Sequence, residues 1–328
     1  MNLVYKALNA GGSIHPLIIP NEFPTNGTAQ LNPSVYVDGG DILTTIRHCQ
    51  YTIVHSEKGK FQHQWGPLTY LCPEDDLTLT TTNYLAKLNA DLTIKDIRKV
   101  DTAIHDKKPI WEFVGLEDAR LFRWDGKLYL CGVRRDTTTN GQGRMELSEV
   151  QYTSDGIKEV TRWRIPAPGL DNTYCEKNWM PILDMPFHFV KWSNPTEIVK
   201  VDPVKKTCEV VFQSDRVVEA PYEYRGGSHV IPFGDYRIAV AHVLTKFWRN
   251  PDGRKDATYR HCFIVWDKDW NVVRYGAPFS FMDAEIEFCC GMAEHDGNFL
   301  LSFGYQDNAA FVVKVPKRVI EGYVSGRN

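Results

Sequence analysis

The sequence predicts an all-β chain folded as a five-bladed β-propeller with short helical insertions. Three observations predict it. Short β-branched and aromatic runs alternate with Gly, Pro, Asn and Asp along most of the 328 residues. Five segments each read as a strand, a tight turn and a second strand. Five four-stranded blades of about 50–60 residues need about 250–300 residues in all, which this chain supplies. A β-sandwich of the same length is the structural alternative.

The five hairpins follow in order at 32–50, 117–136, 176–192, 225–244 and 290–307, within one domain spanning 1–328. Their turns fall at Gly39-Gly40, Asp125-Gly126, Met185-Pro186, Gly234-Asp235 and Asp296-Gly297. Four of these pairs contain Gly, which tight hairpins need for positive φ; Met185-Pro186 lacks it and makes the third hairpin the exception. The turns lie about 50–90 residues apart, an irregular period suited to blades with insertions. The best helix candidates are 83–90 and 94–100, inside a polar insertion.

Composition narrows the function classes. Lys and Arg total 38 against 41 Asp and Glu, so the net charge is −3 and no electrostatic footprint for nucleic acid or acidic membrane is present. The N-terminal stretch MNLVYKALNAGGSIHPLIIPNEF has one Lys and no run apolar enough for a signal peptide, and no segment has the length of a membrane span. A cytoplasmic location is expected. Eight cysteines without a C-x-x-C suggest reduced thiols, not a disulfide framework or zinc site. Cys289-Cys290 reads as small apolar packing and Asp267-Lys268-Asp269 as a turn between strands, not a metal motif. No P-loop, G-x-G-x-x-G, H-E-x-x-H or G-x-S-x-G occurs. No metal or cofactor is expected.

Residues equally far from a hairpin turn face each other across the two strands. That count sets Asp118 opposite Arg134, Asn32 opposite Arg47, and Ser228 or His229 opposite His242, with Gly291 near Gly304 and Tyr305. If the hairpins are the inner strands of five blades, their open ends meet at one mouth of the channel. Asn32, Arg47, Asp118, Arg134, Lys177, His229, His242 and Tyr305 then line one polar pocket. Asp118 there suits a general acid, if its pKa is raised. Arg47, Arg134, Arg135, Lys177 and the histidines suit a phosphate, and Trp179 and Tyr305 offer flat faces to a sugar ring. Glu117, Glu176 and Asn178 are hydroxyl ligands, or in the case of Glu176 an ion-pair partner. Glu285 and Glu287, alternating in DAEIEF, are candidates for the second carboxylate of a hydrolase, or else face solvent or bind sugar hydroxyls. The plain alternative for Asp118 and Arg134 is a cross-strand ion pair.

The segment GLEDARLF, residues 115–122, resembles the G-x-E-D-P-R motif of glycoside hydrolase family 130 and glycosyltransferase family 108, with Ala119 where Pro is usual. The resemblance implies a five-bladed propeller acting on sugars, with Asp118 as general acid. Asn32-Pro33-Ser34, EKNW-P at 176–181, RGGS at 225–228 and the stretch 286–307 further resemble a glycosyltransferase-associated branch of that superfamily. The phosphorylases of the superfamily bind phosphate with basic residues and a Tyr on the later blades, for which Arg134, Lys177, His229, His242 and Tyr305 are the candidates here. The expected function is glycosyl transfer to or from a phosphorylated sugar, a glycosyltransferase before a phosphorylase. A hydrolase and a non-catalytic carbohydrate-binding propeller are the alternatives. The expected partners are a sugar phosphate or nucleotide sugar and a glycan or other hydroxyl acceptor. No membrane partner is expected, and nucleic acid only as an acceptor left open.

Overall fold

The computed structural model describes residues 2–20, 22–23, 28–51, 78–138, 141–168, 175–219, 222–249 and 255–326. Helix α1 (Leu3–Asn9) and strand β1 (Ser13–Pro16) come first. Blade 1 holds β2 (Gln30–Asp38), β3 (Asp41–Cys49), β4 (Leu79–Leu88) and β5 (Ile94–Asp101). After the short β6 (Phe113–Val114), blade 2 holds β7 (Glu117–Trp124), β8 (Lys127–Arg134), β9 (Arg144–Thr153) and β10 (Gly156–Arg164). Blade 3 holds β11 (Met180–Pro181), β12 (His188–Ser193), β13 (Thr196–Asp202) and β14 (Thr207–Gln213). In blade 4, β15 (Tyr224–Arg225) and β16 (Ile231–Phe233) both pair with β17 (Tyr236–Arg249) as one interrupted inner strand, followed by β18 (Lys255–Trp266) and β19 (Val272–Tyr275). Blade 5 holds β20 (Glu287–His295), β21 (Asn298–Tyr305) and β22 (Ala309–Pro316), and α2 (Lys317–Ser325) ends the chain.

Within blades neighbouring strands run antiparallel, and β1 adds the fourth strand of blade 5 by pairing with β22 from Ser13↔Lys314 to Pro16↔Phe311. That pairing closes the ring with the chain's first strand. The outer strands of blades 1 and 2 also join, β5 to β10 in parallel at Val100↔Ile157.

Each pair of neighbouring blades shares its own apolar layer, which is why the blades form a ring. Leu43 and Leu85 meet Leu121 and Leu130 between blades 1 and 2. Phe122 and Trp124 meet Phe189 between blades 2 and 3, with Trp124 edge-on to Phe189 at 5.1 Å. Val190 and Ile198 meet Ala239 and Ala241, Phe263 meets Phe281 and Phe303, and Leu300 meets Val35 and Ile46. A strand packed on both faces reads as a continuous apolar run, not an alternating one.

That double burial explains the first correction. The helix candidates 83–90 and 94–100 are the strands β4 and β5. Tyr84, Leu85 and Ala86 are buried in succession, so the period-2 signal is erased and the helix-favouring Leu, Ala and Lys content misleads. The two helices lie near the chain ends and are not insertions. Four expected turns are seen with positive φ, as at Asp125 (+47°) and Gly126 (+75°). The third hairpin has a longer connection, from Pro181 to His188, that contains Met185-Pro186.

Candidate active site

The inner strands of blades 1 and 2 slip register near their upper ends. The slip falls between Leu31 and Ser34 in β2 and between Glu117 and Arg120 in β7. A residue with positive φ sits in each gap, Asn32 (+45°) and Asp118 (+52°), and Asn178 (+62°) stands just ahead of β11. Asn and Asp tolerate this left-handed region better than other side chains, and a bulge re-aims the side chain it carries.

The bulges bring Asn32, Arg47 and Asp118 together. Asp118 Oδ1 accepts from Asn32 Nδ2 at 2.8 Å and from Arg47 Nη1 at 2.7 Å. Arg47 Nη2 also lies 3.5 Å from Glu117 Oε2. Arg120 runs beneath, donating from Nη1 to the Asp118 carbonyl at 2.8 Å and from Nε to the Gly227 carbonyl at 3.0 Å. Burial alone would raise the Asp118 pKa. The Arg47 and Arg120 charges and the hydrogen bonds from Asn32 and Arg47 outweigh it and hold the carboxyl below its ordinary value. Asp118 is therefore an ionised carboxylate at neutral pH, and the condition set for a general acid, a raised pKa, is not met.

Asn32, Arg47 and Asp118 line a cavity of about 1260 Å³. Glu117, Arg135, Lys177, Asn178 and His242 line it too, as expected, and so do residues the sequence analysis did not single out: Tyr51, Trp111, Arg225, Tyr259 and Asp307. Lys177 is exposed and has no ion-pair partner among the described residues. Arg225 reaches Glu223 at 2.9 Å. His242 lies 3.0 Å by Nδ1 from the Gly226 carbonyl, so Nδ1 donates and Nε2 is left as an acceptor. Burial, then the nearby His261 and Arg225, pushes its pKa well down. A neutral His242 adds no positive charge to the cavity wall. Tyr259 stays protonated, because burial and the charges of Asp307 and Asp118 raise its pKa against the pull of Arg225.

Several expected site residues lie elsewhere. The count from the turn set Asp118 opposite Arg134, but the β7 bulge shifts it. Arg134 is buried against Asp136 (3.0 Å) and Glu146 (2.8 Å) and borders a separate cavity between blades 1 and 2. His229 is fully buried between Tyr36 and Phe122. Trp179 is buried in the layer between blades 2 and 3, donating to Glu176 Oε2 at 3.0 Å, while Glu176 Oε1 stands 3.6 Å from Lys191. Tyr305 packs edge-on to Phe311 and is outside the cavity lining. Glu287 is fully buried and accepts the backbone amides of Phe281 (2.6 Å), Met282 (2.6 Å) and Ala284 (3.1 Å). Glu285 accepts from Thr258. Neither glutamate lines the cavity. Asp267 caps its own turn, accepting from the amides of Asp269 and Asn271 at 2.9 Å. Among the described residues, no three His, Cys, Asp or Glu side chains gather as a metal requires, and no helix is long and apolar enough to cross a membrane.

No protein-family model matches the chain, and no curated protein matches it. Solved structures do. A β-1,2-mannobiose phosphorylase from Listeria innocua is similar at 10% identity and a TM-score of 0.56, covering 95% of this chain and 97% of its own. A glycosyl hydrolase from Bacteroides ovatus is similar at 11% and 0.56, covering 89% and 85%. A GDP-Man-dependent mannosyltransferase from Leishmania mexicana is similar at 11% and 0.53, covering 93% and 89%. At such identities the likeness is one of fold.

Proposed function

We propose that the chain is a carbohydrate-active enzyme transferring a glycosyl group from a phosphorylated donor, a nucleotide sugar or sugar 1-phosphate, to a hydroxyl acceptor. The observation that carries this reading is the ionised Asp118, held by Arg47 and Asn32 on the wall of a large polar cavity. The fold shared with a mannobiose phosphorylase and a mannosyltransferase supports the sugar class.

An ionised carboxylate takes a proton. As the acceptor oxygen bonds to the anomeric carbon, Asp118 accepts its proton. The bond from the anomeric carbon to the donor's phosphate oxygen breaks, and the phosphate or nucleotide leaves with the electron pair. Lys177 and Arg225 supply the positive charge that stabilises this anion. His242 Nε2 accepts from a sugar hydroxyl, while Asn178 and the Tyr259 hydroxyl fix others. Phosphorolysis reverses these steps, with Asp118 returning the proton to the leaving hydroxyl; the identity of the released anion, nucleotide or phosphate, separates the two.

The test is release of nucleotide from pooled nucleotide sugars, and of phosphate from sugar 1-phosphates, with glycan acceptors present. Nucleotide release that disappears in Asp118→Asn is the expected result; phosphate release alone moves the assignment to a phosphorylase. Equal release by the variant and the parent overturns the role of Asp118.

A further inference from the structure

The cavity exceeds the roughly 300–1,000 Å³ of a pocket for one small ligand, leaving room for more than a donor. Trp111 lines it, on the segment linking blades 1 and 2. It is 39% exposed, whereas Trp124, Trp179 and Trp266 are buried. An indole partly open where it lines a polar cavity offers a ligand a flat apolar face.

Trp111 is also anchored, through the backbone on both flanks, its indole N–H and a close neighbour at its ring. Ile110 N donates to the Asp136 carbonyl at 2.8 Å, and Leu79 N donates to the Glu112 carbonyl at 2.7 Å, pinning the backbone on both flanks. The indole N–H donates to the Thr138 carbonyl at 2.5 Å. Gly141 lies over the fused ring. A Cβ there would stand 3.2–3.4 Å from Trp111 Cδ2, Cε2 and Cε3, near-equal distances that place it above the ring face. Glycine is needed at this point for the close approach and for its φ of +70°. Trp111 lines the cavity and stays 39% exposed with Gly141 against its ring. A ring fixed this way loses little freedom when a ligand stacks on it. From Trp111 the lining continues through Phe113, with Arg135 5.8 Å over its ring, to Glu117, 3.6 Å from Arg135 and next to Asp118.

We infer that Trp111 is the stacking platform for an outer sugar ring of the acceptor, so the acceptor is a glycan of two or more units, not a single sugar. The inference rests on the glycosyl-transfer reading. The C–H face of a pyranose suits an indole face, and Arg135 and Glu117 stand between the platform and Asp118 to meet hydroxyls.

The experiment titrates manno- and gluco-oligosaccharides of one to four units by calorimetry and tryptophan fluorescence, against wild type, Trp111→Ala, Trp111→Phe and Asp118→Asn. Near-ultraviolet dichroism checks that each variant is folded. The wild type should bind a two-unit glycan about tenfold or more tighter than one unit, a stacking-sized effect. Trp111→Ala should lose that gain and Trp111→Phe keep part of it, while Asp118→Asn keeps it whole. In turnover, Trp111→Ala should raise the acceptor KM and leave kcat unchanged. A gain that survives in Trp111→Ala, or no gain in the wild type, overturns the inference. If nucleotide release still proceeds on a monosaccharide and depends on Asp118, the transfer reading stands without the platform. A Trp111-dependent gain without any release supports the platform and overturns transfer.

Discussion

Replacing Gly304 by alanine tests how Asn32 is held against Asp118. Gly304 lies in β21 with its neighbours fixed, paired to Phe288 on one side and Ala310 on the other. A Cβ there would stand 2.0 Å from Asn32 Oδ1 and 2.8 Å from Asn32 N, both inside contact distance. The two ladders hold the strand, so the Asn32 side chain must give way and its 2.8 Å hydrogen bond to Asp118 is lost. Overpacking of this kind costs about 1–3 kcal/mol. The diagnostic is a double-mutant cycle with Asn32→Gly, which removes the clashing oxygen and suits the +45° φ. Urea unfolding should show Gly304→Ala destabilised by that amount and the double variant partly restored, since the approach to the backbone nitrogen remains. A coupling of about 0.5–3 kcal/mol is expected for groups in contact. Turnover should fall in the single variant at full folding. An alanine variant as stable as the parent, or losses that simply add, would refute the reasoning.

Two further predictions concern buried ionisable groups. Burial holds His229 down at about 4 and His261 at about 3, both fully enclosed, below the ordinary 6.5. The stability they contribute is whole above 6.5 and is lost as pH falls toward those values, because only the unfolded chain takes up the protons. Each contributes a slope of up to about 1.4 kcal/mol per pH unit in that window, so urea midpoints should drop steadily from pH 6.5 to 5. A flat profile contradicts this. Glu287→Gln sets an amide donor against backbone N–H groups and should cost about 1–3 kcal/mol, read as a lower melting temperature. Turnover per folded molecule should be unchanged, and lost turnover at full stability would return Glu287 to the active site.

Much of the architecture is legible in the sequence because propeller blades announce themselves by turns. Asp125-Gly126 and Asp296-Gly297 demand positive φ, and the strands around them follow. Asn32, Arg47, Asp118, Lys177 and His242, near the open ends of the hairpins, were within reach of the same logic, and all line the cavity. What the turns do not encode is the bulge. One slipped residue in β7 turns Asp118 from Arg134 toward blade 1, and no turn residue marks the slip. Burial is equally silent in composition. Trp179 and Glu287 have the residue types of a sugar site, yet one packs between blades and the other ties down a backbone loop. Tyr259 and Trp111 escaped notice for the opposite reason, the first on a third strand and the second on an insertion, away from any hairpin turn.

The measurement that bears most directly on the whole account is the pH dependence of kcat/KM for nucleotide release, which reports the free enzyme, in wild type and Asp118→Asn. The lowered pKa of Asp118 predicts that the wild-type rate holds as pH falls through the ordinary carboxylate range and declines only below 3.8, as long as the protein stays folded. Loss of the base should reduce the variant by about 10²–10⁴-fold and remove that decline. Wild-type release by Asp118→Asn, or a rate that already fails well above 3.8 while the protein is folded, would contradict it.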